Sequence, residues 1–91
     1  MAIVFEWDIK KAQTNLIKHK VSFEEVASIF ADHNSLTIDD PLHSLIEKRN
    51  ITIGVSFSNR LLIAVHTVRN NKIRIISARI ASRKEKKQYE L

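Results

Sequence analysis

The order of periodicities along the 91 residues predicts an α+β domain. Two N-terminal helices pack on a four- to five-stranded, mainly antiparallel sheet, and a short C-terminal helix follows. Two observations predict this. Apolar residues recur at helical spacing as far as Phe30, then alternate with polar ones from Leu36 onward. Asn- and Ser-rich breaks divide the alternating part into lengths that suit hairpins. The composition agrees: 44% hydrophobic residues with one Gly and one Pro describe regular elements around a core, not a disordered chain. The length allows a single domain over residues 1–91.

Ile3–Trp7 alternates apolar and acidic residues as a short strand does. Asp8 suits an N-cap, and Ile9, Ala12 and Leu16 carry a helix to about His19-Lys20. Ser22 and Glu25 have capping-box spacing, with Val21 and Val26 at staple positions; Phe23, Val26, Ala27 and Phe30 then share one helix face. Leu36 and Ile38 mark a strand that Asp39-Asp40-Pro41 closes, and Leu42–Lys48 reads as a loop or turn. Arg49–Phe57 alternates. Leu61–Val68 is almost continuously apolar, as in a central strand, and Asn70-Asn71 can turn into a last strand over Lys72–Ile80. Ala81–Glu90 favours a helix but has little beyond Ala81 and Tyr89 to bury, which suits docking on a partner.

Charge narrows the function. The net charge of +5 divides into about −3 over residues 1–45 and about +8 over 46–91, as expected for a polyanion or an acidic protein partner. The absence of Cys excludes disulfides, thiolate metal sites and a cysteine nucleophile. Four scattered His at no ligand spacing give no support for a metal, so no cofactor is expected. No apolar run has the length of a membrane span, and the N-terminus lacks a signal-peptide pattern, so the expected location is the bacterial cytoplasm.

Phe5-Glu6-Trp7-Asp8, Asn15 and Lys18-His19-x-Val21-Ser22-Phe23-Glu24-Glu25 resemble the opening of BrnT-type toxins. His43-Ser44-x-x-Glu47-x-Arg49, Ile53-Gly54, Ile73–Arg79 and then Ala81, Glu85 and Tyr89 continue the resemblance in order along the chain. It implies a RelE-like fold and a ribonuclease that blocks translation. It further implies neutralisation by a BrnA-type antitoxin, through which alone the complex would contact operator DNA. Two positions depart from the pattern. Lys20 stands where the family usually has Gly, so that helix end is expected to differ in shape; Val68 stands where a polar residue is expected.

Metal-independent RNA cleavage needs a base for the ribose 2′-hydroxyl, cations for the transition state and an acid for the leaving 5′-oxygen. Arg74 and Arg79 are the candidate cations because guanidinium groups bind phosphate in a planar fork. On an unbroken period of two they face opposite sides of the strand, unless a bulge re-aims one. Glu47 as base and Arg49 as phosphate clamp can share a side; otherwise they form a surface ion pair. Lys18 and His19 answer either to RNA or to the negative end of a helix dipole. Trp7 could stack on a base or pack in the core, Arg83 adds a cation at the terminal helix, and His43 is a candidate acid or base. His66 is expected to be a hydrogen-bonded histidine of the core or cleft. The competing function is a non-catalytic basic module that binds an acidic protein or nucleic acid.

Overall fold

In the computed structural model, which describes residues 3–40 and 47–90, helix α1 (Ile9–His19) begins where Asp8 accepts a hydrogen bond from the Lys11 amide at 3.0 Å. It ends at Lys20 in the left-handed conformation, φ 60° and ψ 30°. The expectation of a differently shaped end is thus corrected: lysine adopts the backbone that glycine would favour, at a strain cost of about 1 kcal/mol. Helix α2 (Phe23–Ala27) is capped by Ser22, whose hydroxyl accepts from the Glu25 amide at 3.0 Å. The other half of the expected capping box is absent, because the Glu25 carboxylate turns to Arg60. The helix is also shorter than the periodicity suggests. It tightens into a 3₁₀ turn over Ser28–Ala31, where the Ser28 hydroxyl donates back to the Glu25 carbonyl at 2.6 Å.

Strands β1 (Phe5–Glu6), β2 (Leu36–Asp39), β3 (Asn50–Val55), β4 (Leu61–Arg69) and β5 (Lys72–Ile80) form one sheet in the order β1-β5-β4-β3-β2. β2 to β5 are an antiparallel meander; only β1 runs parallel to its neighbour β5. Helix α3 (Arg83–Tyr89) follows β5. The α+β class and the sheet of five strands are as the sequence predicts.

One face of the sheet carries α1 and α2, with Val21, Phe23, Val26, Ile29, Leu62, Ala64, Ile75 and Ala78 as the core between them. Gly54 lets the 3₁₀ turn lie against β3, since a Cβ there would stand 3.0 Å from the Ile29 carbonyl oxygen. Asn15 pins α1 to the edge of β5. Its buried amide donates to Ala78 O at 2.8 Å and Val21 O at 3.0 Å, and accepts from Ala78 N at 3.1 Å. The opposite face, called the far face below, meets α3 at the end holding Val55 and Leu61, and the Tyr89 hydroxyl donates to the Asp32 carboxylate. No described helix is long and apolar enough to cross a membrane.

Candidate active site on the far face

A β-bulge decides where the two candidate arginines lie. Val65 pairs with Ser77 but His66 pairs with Ile75, so Ile76 is an extra residue that resets the alternation of β5. Arg74 then sits opposite Thr67 and Arg79 opposite Ile63, two positions of equal parity on β4. Both arginines therefore belong to the far face, which corrects the opposite facing that an unbroken period would give.

Each guanidinium is met by a carboxylate. Arg79 Nη1 and Nη2 donate to the two oxygens of Glu85, both at 2.7 Å. Glu85 also accepts from the Ser82 amide at 2.8 Å, while Ser82 Oγ accepts from the Glu85 amide; this is a complete capping box at the start of α3. The Arg79 guanidinium, more than any other neighbour, pulls the Glu85 carboxyl down to about 2. Arg74 Nη1 lies 3.3 Å from Glu6 Oε2, since the parallel register sets Glu6 beside it. Glu47 bonds Arg69 at 2.6 Å. Arg49 precedes β3, and its carbonyl accepts from the Asp40 amide at 2.9 Å.

The remaining candidates are spread more widely. Trp7 packs edge-on against Phe23, ring centroids 5.9 Å apart, and is half-buried. Lys18 and His19 occupy the last turn of α1, against the edge of β5. Arg83 is exposed as the first residue of α3. His43 lies outside the described residues. His66 is a core histidine on the α1/α2 face: Nε2 is 2.7 Å from Thr52 Oγ1, Phe30 stacks edge-on at 4.9 Å, and burial pushes its pKa down to about 4. Among the described residues no three His, Asp or Glu side chains gather as they would around a metal.

Sequence reasoning missed Glu6 and Arg69 as partners, and the joint role of Glu85 as cap and counter-ion. A signal for the last was present, because Ser82-x-x-Glu85 has capping-box spacing.

The fold has a solved counterpart. It resembles the 1.1 Å crystal structure of the Brucella abortus ribonuclease toxin BrnT, with a TM-score of 0.65 and 21% identity over 90% of this chain and 100% of that one. No curated protein matches the chain. The family model described as "Ribonuclease toxin, BrnT, of type II toxin-antitoxin system" matches residues 7–85, nearly the whole length. The chain belongs to the BrnT family of ribonuclease toxins of type II toxin–antitoxin systems.

Proposed function

We propose that the protein is a metal-independent endoribonuclease that cleaves RNA by attack of a ribose 2′-hydroxyl on the adjacent phosphorus and so inhibits translation. The observation that carries this reading is the bulge at Ile76, which turns Arg74 and Arg79 onto one face. Two fixed guanidinium groups there stabilise the negative charge that grows on the phosphate oxygens. Arg49 assists as a phosphate clamp. Glu47 takes the 2′-hydroxyl proton, and His43 gives a proton to the departing 5′-oxygen. Glu85, held near pKa 2, is a poor base; it positions Arg79. His66 is 5% exposed and sits on the opposite face, so it takes no part.

The purified protein, shown to be folded, is expected to cut RNA in EDTA and to leave a 2′,3′-cyclic or 3′-phosphate end. No cleavage at micromolar protein overturns the reading. Induced expression is expected to arrest growth and degrade RNA, and Arg79→Ala to abolish both effects. A BrnA-type antitoxin encoded beside the gene would neutralise the toxin and supply the operator-binding part; an adjacent small reading frame whose product co-purifies is the check.

The bidentate Arg79–Glu85 contact favours a second reading, because it already fills the fork that a phosphate would take. A non-catalytic module of this kind would bind nucleic acid or an acidic protein in a salt-sensitive way without turnover. Arg→Lys changes at Arg74 and Arg79 would then matter little.

A further inference from the structure

Helix α1 carries positive charge that its own stability does not call for. Lys18 and His19 suit the negative pole at its C-terminal end, but Lys10 and Lys11 stand in the first turn, at the positive pole, where the N-cap carboxylate of Asp8 is taken up by the Lys11 amide. All four side chains line one cavity of about 330 Å³, whose β5 wall is Ile76 and Ser77. The three lysines are exposed, and no described acidic residue lines the cavity.

Topology opens this groove. β1 pairs with β5 only at Ile73 and Arg74, and Asn15 covers the edge only at Ala78, so the bulged stretch between them is left to the groove. Ser77 links it to the candidate active site, because pairing with Val65 puts Ser77 on the far face with Arg79. The lysines of α1 thus lie across the β5 edge from the two arginines, with Ile76 and Ser77 between them.

We propose that this groove binds the phosphate backbone of single-stranded RNA and leads the strand over the β5 bulge onto the face of Arg74 and Arg79. The proposal rests on the ribonuclease reading and adds Lys10 and Lys11 to the residues that hold the substrate. A single strand can turn around a sheet edge, whereas a stiff duplex cannot. An acidic amphipathic protein segment fits less well, since the exposed aliphatic residues of α1, Ile9, Leu16 and Ile17, lie outside the groove.

The test is binding of an uncleavable 2′-O-methyl RNA of about ten nucleotides, followed by fluorescence anisotropy across a salt series. K10Q/K11Q/K18Q is expected to raise Kd about tenfold near 0.1 M salt and to make the log–log salt slope shallower by about 2. K84Q/K86Q/K87Q removes the same charge from α3, none of whose residues lines the groove, and is expected to stay within about twofold of the parent. K10E/K11E puts acids at the positive pole of α1, so it should fold at least as well while binding worse still. Equal losses from the α1 and α3 sets, or unchanged binding by the α1 variants, overturn the proposal. So does a loss confined to antitoxin binding with RNA affinity kept. Absence of cleavage of ordinary RNA, with uncleavable RNA still dependent on the α1 lysines, ends the ribonuclease reading alone and leaves the groove standing.

Discussion

Two arginine–glutamate pairs in this molecule share the same chemistry but sit in different surroundings. Glu25 bonds Arg60 Nε at 2.9 Å and also accepts from the hydroxyls of Ser56 and Ser58. Glu85 bonds Arg79 and the Ser82 amide. Each carboxyl is pulled to about 2, chiefly by its arginine. The Glu25 side chain, however, is 10% exposed and that of Glu85 24%. Glu25 ties the start of α2 to the β3–β4 turn, and Arg60 reaches on to the Lys20 carbonyl at 3.1 Å. Arg79, 39% exposed, keeps its guanidinium near the surface of the far face, within reach of a substrate. A depressed pKa alone does not mark a functional pair; the arginines are similarly exposed at 34% and 39%, and it is burial of the carboxylate that separates the two.

Removing the carboxylates should break the symmetry most visibly. Glu25→Ala is expected to cost about 4 kcal/mol in urea unfolding, because it strands a buried hydrogen-bond network. Glu85→Ala should cost about 1–2 kcal/mol, as a lost cap and a half-exposed ion pair. Equal costs would refute the contrast.

Acid titration sharpens it. The folded pKa of His66, about 4, lies below its ordinary 6.5, so the unfolded chain binds the extra proton between those values. Stability should therefore fall by roughly 3 kcal/mol as pH drops through that window, and His66→Gln should flatten the slope there. The two glutamates contribute stability above about 4.5 that is lost as pH falls toward 2. Glu25→Gln and Glu85→Gln should each remove a similar share of that lower arm, since both carboxyls move from 4.5 to about 2.

Charge-conserving changes then test which pair does chemistry. Arg79→Lys is expected to lower the cleavage rate about a hundredfold while changing stability by less than about 1 kcal/mol. Arg60→Lys should do the reverse, leaving cleavage intact and lowering the urea midpoint. The smallest effect belongs to the helix end beside Arg60. Lys20→Gly is expected to stabilise by up to about 1 kcal/mol, because the left-handed backbone costs glycine nothing. A destabilised variant would mean that the lysine side chain holds this corner together.

What could be read in the sequence was local. The caps Asp8 and Ser22, the strands β3 and β5 as elements and the Asn70-Asn71 turn each depend on neighbours a few residues away, and each is found in the structure. What stayed hidden depends on distant partners. Glu25 has capping-box spacing, yet Arg60, 35 residues on, outcompetes the cap. The shared facing of Arg74 and Arg79 follows from one bulged residue that the pattern Ile73–Ile76 does not reveal, since its apolar residues suit either parity. Glu47, ahead of β3, meets Arg69 at the end of β4, 22 residues on, a contact that spacing along one segment cannot supply.

Asn15 has a consequence for how the molecule behaves among copies of itself. Sheet edges invite further strands, and β5 lies next to an edge that β1 covers for only two residues. The Asn15 amide presents to Ala78 one donor and one acceptor, as a neighbouring peptide group would. Unlike a strand, it offers no outer edge of its own. Pairing therefore stops at a side chain, and one residue of α1 both fixes the helix and guards this edge against association.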